Sequence, residues 1–457
     1  MNKSRRFALS SFILATTMIF AACGGTAAPA APAATNAPAA AAPKATEAPK
    51  EEPAKATEAP KEEAKPAEKP TNTPEPPAVF GKGDRKVVIW HLWGGDYRKA
   101  IEKIFADYAD KNGLTIELLK VDDIGNKVSV AVPTGQGPDI IAWVNDNIGK
   151  NVLSEAIQPL NDLGVDEAYL KANFTDVAAT AMVYDGKVYG VPESMEALTM
   201  ICNKKLISAD QLPKSTDELI SKSKAYNKAP DKYFFVYNAK NDAYFSAPWW
   251  QGAGVTLVTP DGKTEIASEN GIKAANLIKS FTEIMPKDID YGVADTLFKD
   301  GKAACIMNGP WSIADYLGKG IEVFLNPLPI VSSSNQPAKP FVGVKMLMLA
   351  NKAKNAKDAV EVMKFYGSTE VQTQLAKVNK QVPANKAAQD AVKDDPIIAG
   401  FITQAANGAP LPNTEFIDAM WEPTGKTVEA IWTGASAPEQ AVKDGADAFE
   451  KKAKDLK

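Results

Sequence analysis

The chain has 457 residues, 45 % hydrophobic and 24 % charged, with a formal net charge of −4 and an isoelectric point near 5.5. That length exceeds one domain, and the mild acidity excludes the basic footprint of a nucleic-acid binder. One histidine (His91) and three cysteines (Cys23, Cys202, Cys305) leave no Cys/His zinc set, and a histidine-based catalytic triad could use only His91. His91 follows "KVVIW" and reads as a strand-end residue. No catalytic residue, metal site or cofactor is expected.

The chain opens on a basic segment, "MNKSRR", followed by an apolar stretch from Phe7 to Ala22. That stretch has the length of a signal-peptide core rather than of a comfortable membrane span. It ends in "FAAC", and Gly24 and Gly25 follow. This resembles the lipobox of bacterial lipoproteins, with Phe20 where leucine is more usual. The resemblance implies a signal peptide over 1–22 and lipidation of Cys23, hence an exported body held at the membrane; an uncleaved anchor helix is the alternative. Two or more acyl chains would make that attachment stable, where one would not. Residues 26–79 are Ala, Pro, Lys, Glu and Thr with almost no aliphatic bulk, and "KATEAPKEE" occurs at 44–52 and again at 55–63. Such a segment cannot bury enough apolar surface to offset its chain entropy, so 23–83 is expected to be a disordered tether. Its ends would lie roughly 40 Å apart as a coil, and about 170 Å apart fully extended.

From Lys86 the pattern alternates. "KVVIW" predicts a strand, and "YRKAIEKIFADYADKNG" predicts a helix with Ile101, Ile104, Phe105 and Tyr108 on one stripe, closing at Gly113. "TIELLKV" predicts a second strand, Ile124 to Val132 a helix, and "PDIIAW" a third strand. This βαβαβ order implies parallel strands with helices on the faces. Ligands of such sheets bind beyond the C-terminal strand ends, so Trp93 and "WVNDN" should open at one rim. Further on, "MVYDGKVYGV" predicts a hairpin turning at Asp185-Gly186. "EALTMICNKKLI", "KAACIMNGPW" and "FVGVKMLMLA" predict strands, and the chain from Ala356 onward predicts mostly helix. Cys202 and Cys305 lie in apolar strand contexts and are expected to be buried free thiols, since strand interiors seldom meet disulfide geometry. Trp90 and Trp432 are expected in the core; Trp249 and Trp250 are given no site role.

The stretches "KVVIW", "TGQGPDIIAW", "YDGKVYGVPESMEALTMICNKKLI", "AYFSAP", "IMNGPW", "KPFVGV", "LAKVNKQVPANKAA" and "LPNTEFIDAMW" follow one another over about 84–457. In that order the chain resembles the maltose/maltodextrin-binding proteins of bacterial ABC importers, within the extracellular solute-binding proteins. The resemblance implies an α/β fold of two periplasmic-binding-protein type II-like lobes around a ligand cleft. Three hinge crossings would fall near Met195–Ala197, Phe341–Val344 and Lys393–Pro396. The N-terminal lobe would be 84–195 with 343–394, and the C-terminal lobe 197–341 with 396–457. Its sugar contacts would fall on Trp143, Asp146, Asn147, Glu196, Asp242, Tyr244, Trp311 and Trp421, with Trp93, Asp96 and Glu422 as further positions. The family's first-loop aspartate–lysine pair aligns instead on Gly94 and Gly95, so Asp96 is the nearest carboxylate there. Asn147 stands for an arginine, Ile313 for a second tryptophan, and Glu422 for an aromatic.

These residue types suit a sugar. An indole takes the C–H face of a pyranose, and an ionised carboxylate accepts from its hydroxyls with roughly twice the strength of a neutral acceptor. Asn145, Asn147 and Tyr244 could donate or accept. The expected function is capture of maltose or maltodextrin and its delivery to ABC permease subunits with a cytoplasmic ATPase, by a lipid-anchored extracytoplasmic monomer without nucleic-acid partners. The alternatives are another sugar such as trehalose or a β-glucan, a polyamine, a purely adhesive surface lipoprotein, or, remotely, a glycosidase using paired carboxylates.

Overall fold

Two β-sheets organise the molecule, and the chain passes between them. The computed structural model describes residues 76–456; the leader, Cys23 and most of the expected tether lie outside the described residues. The described residues form one compact unit that contains both sheets.

The larger sheet begins as predicted. Strands Arg85–His91, Leu114–Lys120 and Ile140–Val144 are parallel, joined by helices Gly95–Asn112 and Ile124–Ala131. Ile101, Ile104 and Phe105 are buried in one core with Val87, Ile89, Ile116 and Leu118. Gly113 ends the first helix in a left-handed conformation, φ 61°, that a side chain would resist. Three antiparallel additions complete this sheet: Phe341–Leu349 pairs with Ile140–Val144 and with Gly190–Glu196, and Val382–Pro383 closes the far edge.

The opposite edge departs from expectation. Ala78–Phe80, placed within the disordered tether, is an edge strand antiparallel to Leu114–Lys120. Backbone pairing carries it, with its alternating half-buried side chains. Next to it, a Cβ on Gly83 would lie 1.9 Å from the Gly113 carbonyl oxygen, so only glycine lets the chain lie this close. The ordered body therefore starts before residue 84.

The smaller sheet comprises Val323–Asn326, Thr199–Asn203, Ala303–Asn308 and Tyr233–Val236, in that order. Here the cysteine expectation fails. Cys202 and Cys305 are directly opposed across the antiparallel pair Thr199–Asn203 and Ala303–Asn308, with Cα atoms 4.1 Å apart, and form a disulfide. Side chains facing each other across antiparallel strands point to the same side of the sheet, which brings the two sulfurs within bonding reach. That register links positions 103 residues apart, and neither strand's own sequence carries it.

The chain leaves the large sheet after Glu196 and returns with Phe341. A third passage lies between helices Lys386–Val392 and Pro396–Ala405; the latter packs on strand Val323–Asn326, where Gly400 seats Leu325. Part of the stretch 409–418, assigned from sequence to the second lobe, reaches the first and the crossing strand. Ala409–Pro410 pairs with Phe341–Val342, Gly149 N–H donates to the Asn413 carbonyl, and Lys150 pairs with Asp418 at 3.0 Å. The hairpin Val183–Tyr184/Lys187–Val188 turns at Asp185 and Gly186, both at positive φ, as predicted. Trp249, Trp250 and Trp432 are buried in the core, and Trp90 is half-buried against it.

Candidate functional site

Strand Ile140–Val144 delivers Trp143 half-buried near its end, and the chain turns at once into a short 3-10 segment, Asn145–Asn147. Asn145 is fully buried; its Nδ2 donates to the Leu411 carbonyl (2.8 Å), and its Oδ1 accepts from the Val344 N–H (2.9 Å). Its amide is thus committed to the protein, and the expectation that it could serve a ligand is corrected. Asn145 instead ties the strand end to two passing segments. Asn145→Ala leaves a buried donor and acceptor unpaired and is expected to cost about 2–4 kcal/mol, to be read from urea denaturation.

Asp146 comes next, half-buried, with Asn147 Nδ2 donating to its Oδ1 at 2.7 Å. Burial pushes its carboxyl up to about 7, opposed by the Asn147 hydrogen bond and reinforced by Asp418 and Glu196.

From the small sheet, strand Ala303–Asn308 leads through Gly309 and Pro310 to Trp311. The indole lies across Gly309, where a Cβ would stand 2.1 Å from the ring, and its Nε1 donates to the Tyr291 hydroxyl (3.2 Å). Trp143 and Trp311 line one cavity of about 300 Å³, together with Leu92, Trp93, Tyr97, Glu193, Lys345 and Asn379. A second space of about 720 Å³ shares Gly94, Tyr97, Trp311 and Asn379 and runs out past Asp96, Lys299 and Asp315. A tryptophan from each sheet thus faces one cleft.

Behind Trp311 the rings continue. Tyr244 lies 6.3 Å from Trp311 and 6.5 Å from Phe341, and Phe341 lies 6.1 Å from Trp421. The Tyr244 hydroxyl is buried without a hydrogen-bond partner. Burial, then the charges of Glu196, Asp242 and Asp146, raise its pKa far above the usual phenol range. Glu196, half-buried at the end of strand Gly190–Glu196, has Oε2 2.8 Å from Lys345 Nζ.

The remaining expected positions fall differently. Asp242 caps helix Ala243–Gly252, accepting from the Phe245 N–H and from Asn238 Nδ2, both at 2.8 Å. Trp93 is buried at 7 % exposure, stacked on His91 at 4.7 Å, and forms the floor of the cavity rather than an open rim. Asp96 is exposed and paired with Lys99. Trp421 is half-buried, lies 6.1 Å from Phe341 and does not line the Trp143–Trp311 cavity. Glu422 turns to Lys426 (2.6 Å) and Lys452 on a groove between the last two helices, where these lysines hold its carboxyl down at about 2. It does not line the Trp143–Trp311 cavity.

Residues 103–400 match the family described as bacterial extracellular solute-binding protein. The chain belongs to that family. Among curated relatives of this solute-binding protein is a maltotriose-binding protein of Pyrococcus abyssi, 30 % identical over 350 residues that cover 74 % of this chain and 76 % of the relative. Another is a maltooligosaccharide ABC transporter solute-binding lipoprotein of Streptococcus pneumoniae, 26 % identical, covering 77 % and 85 %. The fold is similar to a cyclo/maltodextrin-binding protein solved with maltotetraose, with a TM-score of 0.72 and 30 % identity over 81 % of this chain and 98 % of that one. The two-lobe fold of the maltodextrin-binding proteins is therefore this protein's fold.

Sequence reasoning missed four polar residues of this solute-binding protein's cleft, Tyr97, Glu193, Lys345 and Asn379. Tyr97 donates to Glu193 (2.5 Å) and accepts from Gln381 Nε2 (2.9 Å) in a buried network, and Lys345 and Asn379 complete the wall. One signal was available. Lys345 is the lone charge in "FVGVKMLML", a strand otherwise buried throughout, and a charge is costly there unless it is paired.

Proposed function

We propose that this protein captures malto-oligosaccharides in the cleft between its lobes and delivers them to an ABC permease driven by a cytoplasmic ATPase. Cys23 would be lipidated and hold the body outside the cytoplasm, acting as a monomer. The lobes would be built on the larger and the smaller sheet, hinged at the three passages, and closure would bring their walls onto the ligand.

The observation that carries this reading is Trp143 and Trp311 facing one cavity from opposite sheets. Two flat apolar walls suit the two faces of a pyranose. Polar groups stand near them, the unpartnered Tyr244 hydroxyl behind Trp311 and the Glu196 carboxylate at Lys345, as a ring of hydroxyls requires. The same wall disfavours a polyamine, because the Lys345 ammonium already faces Glu196 and Glu193 and would repel a second cation. Asp146, Asn147, Asp242 and Trp421 are proposed contacts as the cleft closes, with Asp96 at its outer end.

Isothermal calorimetry of the purified protein with maltotriose is expected to give one site per chain. No heat with any α-glucan would sink the proposal, and release of shorter sugars on prolonged incubation would replace it with hydrolysis.

The binding should depend on pH. A hydroxyl donating to Asp146 favours the ionised carboxylate, so the ligand pulls a group poised at about 7 downward. Affinity for maltotriose should rise as pH increases through about 7, with proton release on binding near neutrality. Calorimetry in buffers of different ionisation enthalpy reads that proton, and Asp146→Asn should abolish both effects. In the unliganded protein the sign is opposite: a raised acid contributes stability that is present below its ordinary value near 3.8 and is lost as pH rises through about 7.

A further inference from the structure

Lys345 is placed where an ammonium needs a reason. Its strand, Phe341–Leu349, is buried at every other position, yet the Lys345 side chain keeps 32 % of its surface exposed. It lines the cavity between Trp143 and Trp311. Glu196 Oε2 stands 2.8 Å from its ammonium, one acceptor for a group with more than one hydrogen to give. An ammonium carries three donors, and no carboxylate in this pair consumes them fully. Burial alone would lower its pKa; the charges of Glu196 and then Glu193 outweigh that, so it stays protonated.

We propose that Lys345 is a ligand-contacting residue, donating charge-assisted hydrogen bonds to an oxygen of the sugar unit held between the two tryptophans, with Glu196 holding the ammonium in place. This rests on the sugar-capture reading above. It assigns the cleft a cationic donor as well as its carboxylate acceptors, so that one hydroxyl can donate to Glu196 while its neighbour, or the ring oxygen, accepts from Lys345. Charge-assisted pairs are the strong ones in a partly dry site. A lysine serving only to neutralise Glu196 would have no need to stay open to the cavity.

The test is a double-mutant cycle read by calorimetry with maltotriose, using wild type, Lys345→Met, Glu196→Gln and the double variant. Lys345→Met should weaken binding about thirtyfold. Because methionine leaves Glu196 unpaired, the decisive comparison lies in the Glu196→Gln background, where no charge needs neutralising. Adding Lys345→Met there should still cost at least tenfold, with the thermal midpoint of the unliganded double variant near that of wild type. Lys345→Arg should recover part of the affinity. A double variant binding within threefold of Glu196→Gln alone would overturn the assignment and leave Lys345 a positioning residue. No binding by wild type would instead overturn the functional reading, and the Lys345 contact with it.

Discussion

Trp311→Ala should weaken maltotriose binding about thirtyfold, and by no less than tenfold, while leaving the fold intact. The reason is area. A sugar face covers on the order of 80 Å² of indole, worth about 2 kcal/mol at ~25 cal/mol per Å², or roughly thirtyfold in Kd. Trp311 is half-buried at the cavity wall rather than in the core, so its removal opens no closed void. Its orientation is imposed from below by Gly309, whose missing side chain lets the ring lie flat on the backbone. Gly309→Ala must therefore swing the indole aside, and is expected to weaken binding in the same direction without removing a single ring atom. Trp311→Phe should retain much of the affinity. Calorimetry supplies the three constants, and unchanged affinity in Trp311→Ala would remove the aromatic wall from the account.

Loss of the Cys202–Cys305 bond should have the largest effect on stability. The bond closes a loop of 103 residues, and the chain-entropy account puts a cross-link over that length at about 4–5 kcal/mol, less whatever the unfolded chain already retains. Replacing both cysteines with alanine should lower the unfolding free energy by about 3–5 kcal/mol, read as a shift in the denaturant midpoint. Both residues are fully buried, so a mild reductant should leave the folded protein untouched and act only once denaturant opens the sheet. An unchanged midpoint in the double alanine variant would show the bond to be incidental.

Lone residues mark the boundary of what could be read without coordinates. Trp143 was legible because a tryptophan at a strand end, followed by Asn145, Asp146 and Asn147, is a costly arrangement unless something covers it. Trp311 was legible from "NGPW" after an apolar run. Asn145, two residues after Trp143, was not separable from its neighbours, since its two partners come from Val344 and Leu411, far along the chain. Lys345 left a signal, a charge inside an apolar strand, whose meaning depends on Glu196 and Glu193 lying beside it. Glu422 shows the converse. Its position beside Trp421 suggested the cleft, but helical geometry turns it toward Lys426, four residues on, and toward Lys452 on the next helix.

Sequence alone was enough for the parallel start of the large sheet, the central pair of the small one, the strand Phe341–Leu349 and the family, but not for the small sheet's two outer strands, Val323–Asn326 and Tyr233–Val236. The legible features follow from local periodicity, turn residues and strings of adjacent motifs, all of which are short-range. The pairing of Cys202 with Cys305, the edge strand at Ala78–Phe80, the inward turn of Trp93, and the meeting of Trp143, Trp311 and Lys345 at one cavity came only with the folded chain. Each of these depends on register or contact between segments distant in the chain. Nothing in a strand's own side chains records which residue will stand opposite it.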